Sequence, residues 1–208
     1  MRSAVSPNRM ELLKLRKRLD LARRGHHLLK EKLEGLVKEF IPLVDRYRLE
    51  RPELDRMIPG TLNLFSLASA TSSRGIIAAA LAECQGEADL RTGTRTVMGI
   101  SAPTFSLADF RLEPAYSLII TPPELDAAID RLRLLLPRIL ELAALEALLR
   151  RLTREIEKTR RRVNALEYVM IPEIVRTRKF ISSKIEETER GSRVRLMKVK
   201  EMLEARGM

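Results

Sequence analysis

The sequence predicts a mainly α fold: a long antiparallel two-helix coiled coil built from the N- and C-terminal helices, with a shorter helix and a small β-hairpin inserted between them. Three observations carry this. An apolar seam at heptad spacing runs from Leu12 through Leu19, Ala22, Leu36, Phe40 and Tyr47 to Met57, and only His26 and Glu50 depart from apolar or aromatic character. A second seam runs from Leu125 through Ile139 and Leu152 to Ile174. Aromatics make up 4% of the residues and charged groups 32%, with no Trp, a composition that suits long helices better than an aromatic-filled globular core.

The first seam needs a partner, because a single helix cannot bury its own stripe. At ~1.5 Å per residue that partner must run ~70 Å. Only the second seam is long enough. The chain is therefore divided into an N-terminal coiled-coil helix (residues 1–58), a middle region of short helix plus β-hairpin (59–121), and a C-terminal coiled-coil helix (122–208).

In chain order, Ser6-Pro7 is a helix start, with a hydroxyl at the N-cap and proline where no N–H is needed. The helix then continues to about residue 58. Gly25 and Gly35 each cost it roughly 1 kcal/mol relative to Ala. Pro42 is expected to kink it, and Pro52 is a candidate early stop. Ile58-Pro59-Gly60-Thr61 reads as a turn with Thr61 capping a second, apolar helix from Leu62 to about Cys84. β-Formers on either side of Gly99, Ser101 and Pro103 predict a hairpin over roughly 90–110, and a short strand is expected around Tyr116–Ile120. Thr121-Pro122-Pro123-Glu124 reads as a capping box opening a helix that runs nearly to the end, with Met170, Phe180, Val194 and Met202 among its apolar positions and Pro137, Pro172 and Gly191 as irregularities.

An antiparallel pair has a nearly constant sum of facing residue numbers. Placing Arg9 beside Lys200 puts that sum near 210 and sets Pro42 opposite Glu167–Pro172 at one bend. The C-terminal helix would then be unpaired below about residue 150, and the second helix would cover the overhang.

The formal net charge is +11 and the isoelectric point about 10.3, which favours an anionic partner: nucleic acid, an acidic membrane surface or an acidic protein. A lone cysteine, Cys84, rules out an intrachain disulfide and points to a reducing compartment. The N-terminus carries no apolar signal region, and the longest uncharged run, Met57 to Ser73, is too short and polar to span a bilayer.

Catalysis should leave a constellation of residues, and none is found. There is no phosphate-cradling glycine loop and no metal-ligand spacing, and no cofactor is implied. His26 and His27 point ~100° apart on a helix, so they cannot share a metal as residues four apart could. His26 reads instead as a polar seam residue that sets register. The carboxylates lie among cations on helix faces, as solvated ion pairs do. The basic runs Arg16–Arg18, Arg23-Arg24, Arg150-Arg151 and Arg160–Arg162 lack the interleaved aromatics of stacking platforms. Solvated faces or acidic protein partners account for them better than nucleic acid does. A basic coiled-coil nucleic-acid-binding protein or adaptor is nevertheless the alternative that the residues leave open.

Two blocks resemble a known family. Ser6 to Met10, then Gly25 to Lys32 with Leu36, are similar to the first helix of the D subunits of V-type and archaeal A-type ATP synthases. Thr159 to Ile174 resembles the signature segment of that family's C-terminal helix, carried here by Arg161, Arg162, Val163, Asn164, Ala165, Leu166, Glu167, Ile171 and Pro172. The resemblance implies a central rotor axle whose termini enter a hexamer of catalytic A and regulatory B subunits. The small F and the funnel-shaped linker subunits would bind its side and its far end, the linker joining it to the membrane ring of c-type subunits. The chain would be non-catalytic and cytoplasmic, peripheral to the membrane, and would couple ATP synthesis or hydrolysis to ion translocation. Arg9, Arg16, Arg193, Arg195 and Lys198, near the ends entering the ring, are the expected rotor–stator contacts. The resemblance also implies an unbroken helix where the residues Ile58 to Thr61 read as a turn. The short tail suggests a prokaryotic form.

Overall fold

The structure, a computed structural model, describes residues 6–113, 115–117, 119–205 and 207. Its elements are α1 (Arg9–Thr71), α2 (Arg74–Glu83), β1 (Gln85–Val97), β2 (Ile100–Glu113), α3 (Pro123–Asn164), a π-helical segment (Ala165–Met170) and α4 (Ile171–Ala205). They form two compact units: one of the residues up to Glu34 with those from Glu157 on, the other Gly35–Ile156.

In the first unit the start of α1 packs antiparallel on the C-terminal helix. Leu19 and Ala22 bury against Ile174, with Leu15, Leu166, Ile171 and Val175 around them. Further out, Leu12, Leu13, Ser182, Ile185 and Glu186 line a shallow cavity.

In the second unit the rest of α1 runs antiparallel to α3 through three clusters. Leu36 meets Leu148 and Leu152; Leu54 meets Leu135, Leu142 and Leu145; Ala68 meets Leu125 and Ile129, with α2 supplying Ile77 and Ala80. Leu36, Leu125 and Leu152 are fully buried, each contributing ~1.5–3 kcal/mol relative to an exposed side chain.

α1 is 63 residues long and passes unbroken through Pro42, Pro52 and Pro59. The turn expected at Ile58–Thr61, and with it the helix end near residue 58, is therefore corrected. Each proline removes one backbone hydrogen bond, but packing holds the path. Leu54, Ile58, Thr61, Phe65 and Ala68 continue the seam at spacings of four and three, all buried or half-buried. Buried Thr61 does not cap a new helix; its hydroxyl donates to the Met57 carbonyl at 3.3 Å, so it brings no unsatisfied group into the core. The second helix is correspondingly short, ten residues, and begins at a Ser73 N-cap whose hydroxyl accepts from the Ile76 N–H.

The hairpin pairs Gln85–Val97 with Ile100–Glu113 in antiparallel register, with a bulge beside Ala88. Met98 and Gly99, both at positive φ (50° and 77°), make the two-residue turn that matches strand twist. The strand expected around Tyr116–Ile120 is not there: among the described residues the Ile120 and Thr121 N–H groups close a turn on the Ser117 carbonyl. The Thr121 hydroxyl also donates to the Ser117 carbonyl, so it does not act as the capping box it resembles, and α3 begins at Pro123, one residue later than a Thr121 cap would place it.

The register is corrected as well. Arg9 meets Glu189 rather than Lys200, Leu19 meets Ile174 and Leu54 meets Leu142, so facing numbers sum to near 195. In the first unit Pro172 lies beside Ile171, which packs at the level of Leu19 and Ala22; in the second, Phe40 and Leu43, flanking Pro42, pack with Leu148 and Leu152. Pro42 thus lies beside residues that face Leu148 and Leu152, not Glu167–Pro172. The overhang of the C-terminal helix is covered by α1's own extension to Thr71 in addition to α2. Met170, Phe180, Val194 and Met202, expected on the seam, are exposed. At residue 170 the cause is local: the π segment turns Ile171 inward in place of Met170.

Candidate functional site

The signature segment is where the long C-terminal helix changes character. α3 ends at Asn164, and the next six residues form a π turn in which the Ile171 N–H reaches back five residues to the Leu166 carbonyl. Pro172 follows directly, with no N–H for the Tyr168 carbonyl and a ring that crowds it. Widening the helix one turn earlier relieves that crowding. Val163 is buried before the π turn and Ile174 after it, whereas Tyr168 and Val169 are 71% and 62% exposed.

Glu167, in this segment, faces His26 across the pair, with Oε2 3.3 Å from Nε2. The seam histidine thus meets a carboxylate, which is how a polar seam position favours one register over its neighbours. His27 points away and bridges to Glu31 one turn along its own helix at 3.4 Å.

The cations proposed at the ends sit as follows. Arg9 donates to the Glu189 carboxylate. That hydrogen bond, the Arg9 charge and the nearby Arg193 charge hold the Glu189 carboxyl below the usual carboxylate range. The Arg195 guanidinium donates to the Gly191 carbonyl at 3.2 Å, and Lys198 bridges to Glu201 at 3.0 Å. Arg16 and Arg193 are exposed. The structure brings Arg9 and Arg193 to one carboxylate; it does not gather all five cations into one cluster.

Three cations of the basic runs have partners of their own. Arg150 bridges to Glu146 at 2.5 Å, Arg161 to Glu157 at 3.5 Å, and Arg151 donates to the Ser101 backbone carbonyl. This last contact was not evident from the sequence. It holds the hairpin tip, whose Val97, Ile100 and Ala102 pack on Leu36, Leu148 and Leu152. Gly35 belongs to the same arrangement, since the Met98 side chain lies where its Cβ would be. The one legible signal was a glycine inside a strong heptad pattern, which marks a close approach.

At the other end of this unit Tyr116, buried against Ala68, Ile77 and Leu125, donates its hydroxyl to Asp126 of α3. Burial and then the Asp126 carboxylate push the phenol well above its ordinary value.

Among the described residues no three His, Cys, Asp or Glu side chains are grouped to hold a metal, and no helix is long and apolar enough to cross a membrane.

Known proteins match this sequence along nearly its full length. The family of ATP synthase D subunits matches residues 11–201. Three D subunits of V-type ATP synthases are among the similar proteins. That of Acetivibrio thermocellus is 45% identical over 203 residues, covering 96% of this chain and 91% of that protein. Its counterpart in a Thermoanaerobacter species is 40% identical over 201 residues, 96% of each chain, and that of Clostridium novyi is 42% identical over 205 residues, 96% and 95%.

Proposed function

Because this chain belongs to the family of ATP synthase D subunits, we propose that it is the central rotor axle of a V/A-type rotary ATPase or ATP synthase, coupling nucleotide turnover to ion movement through a membrane ring. The observation that supports the reading best is the antiparallel pairing of α1 with the C-terminal helix, present in each unit and sealed by apolar seams. Two helices packed side by side resist bending and twisting better than one, which is what transmitting torque requires.

In this reading the chain is non-catalytic and lies on the cytoplasmic side, peripheral to the membrane. ATP is handled by a surrounding hexamer of catalytic A and regulatory B subunits. The F and funnel-shaped subunits complete the stalk, the first along the coil and the second joining the axle to the c-type ring. An asymmetric axle presents different faces to otherwise equivalent catalytic interfaces, and coupling requires such differential contacts. Arg9, Arg16, Arg193, Arg195 and Lys198 are the cations that would meet the inner wall of the hexamer.

Native mass spectrometry of this chain mixed with the A and B subunits of its source tests the proposal. One copy per hexamer is expected. Failure to bind, with the helices intact by circular dichroism, overturns it. In the assembled complex, replacing the five cations with Gln should lower the ions moved per ATP while leaving the fold intact; unchanged coupling would remove them from the contact.

A further inference from the structure

Pro172 is not the only proline inside a long helix here, but it is the one preceded by a π turn. Pro42 lies between Phe40 and Leu43, which sit in apolar clusters; Pro59 lies between buried Leu54 and Thr61; Pro137 lies between buried Leu135 and Leu142. Through these turns, as through Pro52, the helix keeps its α path despite the lost hydrogen bond. In the turn before Pro172 only Leu166 is half-buried, and the other five side chains are exposed. On either side of it the helix is anchored again, by Thr159 and Val163 before it and by Ile174 and Ile181 after it.

We infer that Ala165–Met170 is a mechanical joint in the C-terminal helix: a loosely packed turn that opens and twists ahead of the helix on either side. Three features define it. Pro172 sets its position, since it withholds the N–H that would restore the α bond to Tyr168. The π bond from Ile171 to Leu166 replaces the α bond in holding the turn together. The contact of Glu167 with His26 ties it to α1 and limits its travel. Regions with few buried contacts are the ones that open locally. The inference does not rest on the axle reading, because it concerns the isolated chain.

Hydrogen exchange on the full-length chain tests it, read amide by amide. The amides of Tyr168–Ile171 and Glu173 should exchange about tenfold or more faster than those of Thr159–Val163 and Ile174–Ile181. Pro172→Ala, which supplies the missing N–H, should bring them to the rate of their neighbours. Equal protection across the three stretches in the unaltered chain overturns the joint, whatever the variant does. Fast exchange that persists in a folded Pro172→Ala chain overturns the role of the proline. Binding to A and B subunits is a separate readout, so loss of one proposal leaves the other standing.

Discussion

The Cε of Met98 lies 2.8 Å from the point a Cβ on Gly35 would occupy. One residue is the tip of a β-hairpin and the other stands in the middle of a 63-residue helix, so the missing side chain of Gly35 is what lets the hairpin lie down on the coil.

Gly35→Leu should therefore lift the hairpin tip and destabilise the protein by ~1–3 kcal/mol, the usual cost of overpacking. Gly35→Ala should be far milder. The atom it meets is the free end of a flexible side chain, and Ala recovers ~1 kcal/mol of helix propensity. Thermal unfolding, with NMR shifts of Val97 and Ile100 reporting the tip, would separate the two variants.

Leu152→Ala removes a fully buried side chain shared by α1, the hairpin and α3. A loss of ~2–5 kcal/mol is expected, at the upper end if the hairpin cannot settle into the cavity. Urea unfolding measures it. A loss below about 0.5 kcal/mol, the usual range for exposed positions, would mean that the cluster around Leu36 is not packed as described.

Pro59→Ala distinguishes a continuous helix from a turn at Ile58–Thr61. In a helix interior the substitution restores a hydrogen bond and relieves a clash, so stability should rise, by up to ~3 kcal/mol. In a turn suited to proline it would fall by ~0.4–1 kcal/mol. The melting temperature is expected to increase.

Tyr116 makes the chain sensitive to alkali. Its phenol is raised above the ordinary value, first by burial and then by Asp126, so the folded chain holds this proton after the unfolded chain has lost it. Its contribution is complete below the unfolded value near ~10 and is lost as pH climbs from there towards the folded value. Tyr116→Phe should flatten that part of the stability–pH curve, at a cost near neutral pH of ~1–3 kcal/mol for the lost hydrogen bond. Chemical denaturation between pH 8 and 11 gives the comparison.

Much of the two seams was legible in the sequence, because apolar residues recurring every three or four positions argue for a buried stripe, although Met170, Phe180, Val194 and Met202 face solvent. From the seams followed the mainly α class and the pairing of the two ends; β-formers around Gly99 placed the hairpin, and the signature residues carried the family. The helix end near residue 58 was misread for a physical reason. Proline and glycine at 59 and 60 argue locally for a turn, while Leu54, Ile58, Thr61, Phe65 and Ala68 argue for a continuing seam. Local propensity is worth one to three kcal/mol (roughly), and several buried side chains outweigh it.

What the sequence alone determined was the kind of structure: heptad periodicity demands burial along a stripe, and only a second stripe of similar length meets that demand. What the tertiary structure alone decided was registration and contact. A pair of apolar seams can slide by whole heptads at little cost in pattern, so the offset that sets Arg9 on Glu189 and His26 on Glu167 depends on interactions far apart in the chain. The same holds for Met98 over Gly35, Arg151 on the Ser101 carbonyl and Tyr116 on Asp126. Each joins residues whose spacing carries no period, and each becomes readable only once the helices have settled in one register.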